Sequence, residues 1–482
     1  MDEWDLAIIG GGTAGIVAAK TAGRFGARVL LVESARTGGD CLWTGCVPSK
    51  SLIAAAHTAH TVRTAARHGV HTSAPQVDDA AVLAYIQEAI ARIEPVDSPA
   101  AIGANGAQVV TGRAEFTGPS TLRLTGATGE RTARFRWALI ATGSAPAVPD
   151  VPGLADADPL TTETLWDLDA LPRRVAVLGG GPVGCELGQA LARLGVEVTL
   201  AQRADRLLVK EEPEVSALIA ERLRAEGVTV LTGVTVERVD GGTLHLAGGD
   251  AIVVDRILVA AGRRPRTLGL GLAAAGVRRD ERGRVVIDDR MRTSNRRIFA
   301  AGDVTGTLPF THVAGVQGGY AATNALLGLR RRVDYSAVPW VTFTDPEVAH
   351  VGATLAEARR RHGDRVQARL LAHEHVDRAV TDGRTDGFTH LVIGPGGRLL
   401  GATVVSPRAG ESIVELAAAM RRGAKARDVA ATVHAYPTYA DGPWNATLAQ
   451  VRGDLAGPLL SRAISGLRGL RRAVHPIRAE RQ

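Results

Sequence analysis

The stretch Leu6-Ala7-Ile8-Ile9-Gly10-Gly11-Gly12-Thr13-Ala14-Gly15 decides how the chain is read. Four apolar residues run into a glycine turn, an Ala-rich helical stretch follows to Phe25, and a second apolar run, Arg28-Val29-Leu30-Leu31-Val32, ends on Glu33. The pattern returns further along. Val175-Ala176-Val177-Leu178 leads into Gly179-Gly180-Gly181-Pro182-Val183-Gly184, then a helix from Glu186 to Leu194 and a strand from Val196 to Ala201. Each copy predicts strand, glycine turn, helix, strand, the unit that builds a parallel sheet by right-handed crossover. The fold class is therefore α/β, with two Rossmann-like dinucleotide-binding domains.

The chemistry follows from the glycines. Gly10 permits the tight turn, Gly12 lets the backbone approach a pyrophosphate, and Gly15 lets helix and strand pack closely, so that phosphates meet the N–H groups at the helix start. Glu33 ends its strand where an acid binds two ribose hydroxyls, which predicts an adenine dinucleotide here. Gly179, Gly181 and Gly184 repeat the turn, but the second copy ends Leu200-Ala201-Gln202-Arg203, with Arg206 close behind. A carboxylate there would repel a ribose 2′-phosphate, whereas an arginine fork binds it. NADP is expected over NAD, against the plain alternative that Arg203 and Arg206 are solvated charges in an arginine-rich chain. Two dinucleotide sites in one chain imply electron transfer between two cofactors.

At 482 residues, with 45% apolar and 22% charged, the composition is that of an ordinary globular protein of several domains. No apolar run approaches the roughly 20 residues needed to cross a bilayer. The acidic start, Met1 to Asp5, leads into a strand, so no cleaved signal is expected. Three cysteines, Cys41, Cys46 and Cys185, are too few for a secreted disulfide scaffold, and a cytoplasmic protein is expected. The net charge of +7 sits mostly beyond Ala456, where Arg462, Arg468, Arg471, Arg472, Arg478 and Arg481 face only Glu480. The remaining body is near neutral and has no field to steer a nucleic acid.

Pro- and Gly-rich joints at Ala145 to Gly153 and at Arg263 to Arg266, and a change of character after Pro339, set the expected boundaries. These are 1–148, 149–267, 268–337 and an α+β domain at 338–450, followed by a basic tail at 451–482. From Asn445 onward the tail is helix-like, with Leu460, Ile464, Leu467, Leu470 and Val474 apolar, although Gly466 and Gly469 weaken a helix. Such a basic helix could lie on an anionic membrane; packing over its own protein is the favoured expectation.

Gly38-Gly39-Asp40-Cys41-Leu42-Trp43-Thr44-Gly45-Cys46-Val47-Pro48-Ser49-Lys50 is the most informative stretch. The two cysteines are close enough to form a disulfide, and no further zinc ligands stand nearby. In a cytosolic chain such a pair is more often catalytic than structural. Pro48 fits the first turn of a helix whose N-terminus lowers a cysteine pKa, and Lys50 adds a cation. Trp43 either packs or shapes a substrate site. Cys185 reads as an inert residue behind the second glycine turn.

The stretch resembles the GGxCxxxGCxPSK signature of the class I pyridine-nucleotide-disulfide oxidoreductases, the family of glutathione reductase, dihydrolipoamide dehydrogenase and mercuric reductase. Ala141-Thr142-Gly143, Val259 to Pro265, Ile298 to Val304 and Val341 to Glu347 are similar to further family motifs, and the likeness spans roughly residues 5 to 444. The resemblance implies that NADPH gives a hydride to FAD, whose reduced form passes electrons to a Cys41–Cys46 disulfide. Cys46 would be the flavin-facing, charge-transfer sulfur, and Cys41, expected to be the low-pKa thiol, would attack a small-molecule or protein disulfide. It also implies a Lys50–Glu186 ion pair beside the flavin, Asp303 on the ribityl chain, and Gly39, Thr142, Gly143 and Gly262 at the cofactors. The α+β domain would then hold a homodimer together.

One motif departs. The family's His-Pro-Thr-x-x-Glu, a proton relay for the attacking thiol, stands here as Tyr436-Pro437-Thr438-Tyr439-Ala440-Asp441. A phenol of pKa near 10 is a poor base at neutral pH. Either His434, expected on Tyr436's face of an extended segment, replaces it, or the acceptor needs no relay, as for a quinone or a metal ion. Mercuric reductases share the tyrosine. They add a C-terminal cysteine pair, and no cysteine follows Cys185, which disfavours mercury.

Overall fold

The structure, a computed structural model, describes residues 2–127 and 129–475. It divides into two compact units, Met1–Val209 with Ser216–Asp334, and Lys210–Val215 with Tyr335–Gln482.

In the first unit the opening apolar run becomes the strand Asp2–Ile9. It pairs in parallel with Val29–Glu33 on one side and Gly129–Ile140 on the other. Leu6, Ala7, Ile8 and Ile9 are all buried, as a parallel strand covered on both faces requires. Ala107–Thr111 extends this sheet beyond Val29–Glu33. The long strand Gly129–Ile140 serves two sheets' worth of pairing: its start forms a hairpin with Thr121–Gly126 and its end pairs with Ile298–Ala300. The helix Thr13–Arg24 contributes Ala14, Ile16, Ala18, Ala19 and Ala22 to the core beneath the sheet.

The second glycine turn organises a separate parallel sheet in the order Thr229–Thr232, Glu197–Gln202, Arg174–Leu178, Arg256–Val259. Its helix, Pro182–Arg193, ends on a buried arginine whose two N–H groups each reach Glu226 at 2.7 Å, so the buried charge is answered by a bidentate partner. The two joints read from the sequence meet, Ser144–Pro146 pairing antiparallel with Arg263–Pro265.

The second unit is built on a five-stranded antiparallel sheet, ordered Pro339–Thr342, Glu347–Gly352, Leu399–Ser406, Phe388–Ile393, Gln367–Ala372. The helix Ala409–Arg421 lays Ile413, Leu416 and Ala417 into a core with Val351, Leu391 and Val404. The segment 210–215 belongs to this unit. Glu211 and Glu212 are buried in it, accepting hydrogen bonds from Trp340 Nε1 at 2.7 Å and Leu355 N at 2.6 Å.

The single helical tail read from the sequence is two helices, Asp441–Ala456 and Pro458–Val474, parted at Gly457 with Pro458 opening the second. Leu460, Ile464, Leu467, Leu470 and Val474, expected to pack over their own protein, are all exposed in the single chain. Arg478, Glu480 and Arg481 lie outside the described residues. Among the described residues no helix is long and apolar enough to cross a membrane.

Candidate active site

Gly38 and Gly39, both at positive φ (103° and 61°), turn the chain into the short helix Gly39–Trp43 that carries Cys41. Cys46 then opens the helix Cys46–Thr64, with Pro48 in its first turn, where the missing N–H costs nothing. The loop between is braced by indoles. Trp43 Nε1 donates to Thr37 O at 2.7 Å with the Arg36 guanidinium 3.8 Å from its ring centre, and Trp166 Nε1 donates to Thr44 O at 2.9 Å. These contacts hold Trp43 in place within the loop.

Both cysteines carry free thiols and are partly buried. The Cys41 thiol hydrogen-bonds to the Cys46 sulfur. That bond above all, then Thr311 Oγ1 at 3.3 Å and the Lys50 charge, holds Cys46 below the ordinary thiol range against the cost of burial. The same bond raises Cys41, helped by burial and by repulsion from Cys46 and Asp40. The expected order is thus reversed: the low-pKa sulfur is Cys46, at the helix start, and Cys41 holds the proton. Cys185 is fully buried behind the glycine turn, and burial pushes its thiol far up, which leaves it inert.

Lys50 Nζ lies 2.8 Å from Glu186 Oε2, whose side chain is only 7% exposed. Asp303 Oδ2 accepts from Ser144 Oγ at 2.7 Å. Arg263 joins the two halves of the site, its Nε donating to Ser144 Oγ at 2.7 Å and its terminal nitrogen pairing with Asp40 at 2.8 Å. Thr142, Gly143 and Gly262 sit where the joints cross, with Thr142 Oγ1 on Arg266 O at 2.7 Å, Arg266 N on Gly143 O at 3.0 Å and Ala147 N on Gly262 O at 2.9 Å.

The two glycine turns superimpose in their internal bonds. Gly10 and Gly179 adopt positive φ, 105° and 116°. A Cβ on Gly15 would lie 1.9 Å from Gly10 O, and one on Gly184 1.8 Å from Gly179 O, so only glycine fits. Gly12 and Gly181 precede their helices without a side-chain cap, leaving the first N–H groups for a ligand, and space opens in front of Gly181. Glu33 Oε2 accepts from Gly11 N at 2.6 Å; Gln202 Oε1 accepts from Gly180 N at 3.0 Å. The two arginines part company. Arg203 is exposed, whereas Arg206 donates to Ser216 Oγ at 2.7 Å and Val209 O at 2.8 Å.

In the second unit, His434 does not share Tyr436's face. Its side chain is 7% exposed, with Nε2 2.6 Å from Glu415 Oε2, Nδ1 3.0 Å from Thr432 O, and the ring stacked on Trp444. Both nitrogens lie within hydrogen-bond distance of acceptors of its own unit. Tyr436 is exposed and donates to Asp377 Oδ2 at 2.5 Å, a bond that raises its phenol above the ordinary range. Asp441 is buried and accepts from Thr438 N at 3.1 Å, within its own loop. Among the described residues no group of three or more His, Cys, Asp or Glu could hold a metal ion.

Residues 4–318 match the pyridine nucleotide-disulphide oxidoreductase pattern, and residues 338–447 match the dimerisation domain of the same family. The chain belongs to this family. It is 41% identical over 451 residues to a mercuric reductase of Streptomyces lividans, covering 91% of this chain and 94% of that one. It is 34% identical to a dihydrolipoyl dehydrogenase of Geobacillus stearothermophilus, covering 90% and 94%. The Cu(II) complex of the HOCl-induced flavoprotein disulfide reductase RclA from Escherichia coli superposes at TM-score 0.83 and 27% identity, over 93% of this chain and 100% of that one.

As a pyridine nucleotide-disulphide oxidoreductase, the chain is an FAD-dependent NAD(P)H disulfide oxidoreductase of a family whose acceptors are disulfides or metals, and its dimerisation domain accords with a homodimer. The residues fit the cofactors: two uncapped helix starts, each behind a glycine turn, are what two pyrophosphates need. Sequence reasoning missed Thr311 beside Cys46, the Ser144–Arg263 link, and Glu415 on His434. None carries a local signal, because each acts through a partner distant in the chain.

Proposed function

We propose that this oxidoreductase uses two electrons from NADPH to reduce the Cys41–Cys46 disulfide to the dithiol, and that a further NADPH then supplies two electrons to an acceptor held by the two sulfurs that needs no proton relay, a thiophilic metal ion foremost. FAD, when bound, supplies the ring that accepts hydride and yields electrons to the sulfurs. Gly10, Gly12, Gly15, Glu33, Gly39, Thr142, Gly143 and Asp303 would hold it. Gly179, Gly181, Gly184, Gly262 and Arg203 would hold NADP, with Arg206 bracing the loop. Gln202 supports NADP over NAD, since it keeps the bond to Gly180 without a charge facing the 2′-phosphate. A redox-active cysteine pair with only one further cysteine suits a reducing, cytoplasmic setting.

The observation that carries the reading is the placement of the sulfurs: Cys46 opens the helix Cys46–Thr64 with Thr311 Oγ1 at 3.3 Å, surroundings that favour its thiolate in the reduced pair, and Cys41 stands on the short helix before it. A soft dication binds both sulfurs and releases the Cys41 proton. The dication is then reduced to the metal while NADPH becomes NADP⁺ and a proton, and no thiolate leaves. Disulfide exchange is the second reading. There Cys41 attacks, the departing thiolate must be protonated, and Cys46 resolves the mixed disulfide. On that route the proton for the departing thiolate would have to come from elsewhere than the Tyr436 phenol, whose bond to Asp377 raises it. The mercuric relative and the copper complex of RclA favour the metal.

The test is NADPH oxidation by the FAD-loaded enzyme with Hg(II), Cu(II), oxidised glutathione and a benzoquinone. The metal ions should outpace the glutathione disulfide by about 100-fold or more, the worth of a missing acid–base relay. Cys41→Ser should abolish metal reduction. Faster turnover of the disulfide, or a quinone activity that dominates and survives Cys41→Ser, would defeat the proposal.

A further inference from the structure

The helix Pro458–Val474 lies beyond the family's dimerisation domain, which ends at residue 447. At about 100° per residue, Leu460, Ile464, Leu467, Leu470 and Val474 fall within an arc of roughly 120°. They form one apolar stripe, and its members are between 43% and 64% exposed. Arg462, Arg468 and Arg472 project from the flanks and the opposite side, and residues 458–475 contain no Asp or Glu. Such a stripe alone does not say what covers it; the charges do. A second copy would bring four arginines against four, with no acid on either helix to offset them. Arg471 adds a sharper argument, since its angular position falls inside the stripe, between those of Leu460 and Ile464. A dry seam between two copies of this helix would have to bury that guanidinium unpaired. At a lipid surface the same side chain extends its stem along the apolar layer and places its charge among the phosphates.

We propose that this helix is an interfacial anchor, docking the enzyme on an anionic lipid bilayer with its leucine stripe in the acyl boundary and its arginines on the headgroups. The five apolar side chains are too few and the helix too charged to span; it would lie in the plane of the surface. Gly466 and Gly469 weaken the helix in water, so the surface would also order it. This inference does not depend on which acceptor the cysteines serve.

Flotation of the full-length FAD-loaded protein tests it, with vesicles of phosphatidylcholine alone or mixed with phosphatidylglycerol. Binding should be at least about tenfold greater on the mixed vesicles and should weaken with salt. Leu467→Glu with Leu470→Glu should remove it, as should Arg468→Glu with Arg472→Glu, while flavin absorbance and NADPH oxidation stay unchanged in both. Equal flotation of wild type and variants, or none on either vesicle, would overturn the proposal. So would sedimentation that shows a species larger than a dimer which the leucine pair of substitutions dissolves, since the stripe would then belong to another copy.

Discussion

The two glycine turns repeat one backbone solution and differ at a single decisive side chain. Glu33 and Gln202 stand at the same place, each accepting a hydrogen bond from the second glycine of its turn. Folding the turn needs only that acceptor oxygen, which a carboxylate and an amide both supply. Choosing the ligand depends on what else the group carries: a charge suited to ribose hydroxyls in one copy, a neutral amide followed by Arg203 in the other. The structural task and the recognition task are separable at this position.

The comparison can be broken most forcefully at what the copies share. Gly15→Ala and Gly184→Ala each press a methyl group into a carbonyl oxygen. Each should cost about 3 kcal/mol in denaturant unfolding. Gly15→Ala should also lose FAD, and Gly184→Ala should keep FAD but lose reduction by NADPH. A tolerant result at either site would show that the turns are not equivalent. Where the copies differ, Gln202→Glu should lower the NADPH-to-NADH ratio of kcat/KM by about 100-fold, with stability unchanged within about 0.5 kcal/mol. A stability loss there would mean that the amide does more than accept the Gly180 bond. The smallest effects separate the arginines. Arg203→Ala should raise KM for NADPH about tenfold at constant kcat, and Arg206→Ala about threefold or less. The reverse order would make Arg206 the phosphate-binding fork.

Much of this was legible in the sequence because it rests on local signals. The glycine turns and the placing of Cys46 and Pro48 at a helix start follow from residue types at short spacing. The Lys50–Glu186 contact spans 136 positions and came only through the resemblance to a known family. What stayed hidden depends on partners brought together by folding. No local pattern sets Thr311 beside Cys46, sends Glu211 and Glu212 into the second unit, or commits His434 to Glu415. The reversal of the two thiol pKa values has the same origin, since the hydrogen bond between the sulfurs, and not their order in the chain, decides which one holds the proton. The tail misled for the opposite reason: its apolar spacing is a local signal, but only the structure says whether a neighbour covers it.

The central claim is that Cys46 is the thiolate of the two-electron-reduced pair and would face the flavin, and anaerobic titration of the FAD-loaded enzyme with NADPH tests it most directly. A depressed folded pKa keeps the thiolate at every pH above that value; the stability this contributes is complete above the unfolded thiol's pKa of about 8.5 and is lost progressively as pH falls from there to the folded value of about 6. The account predicts long-wavelength absorbance at the two-electron stage that persists at pH 7.5, that remains without added NADPH in Cys41→Ser, and that is missing in Cys46→Ser. Absence of the band in the wild type, or its survival in Cys46→Ser, would contradict the account.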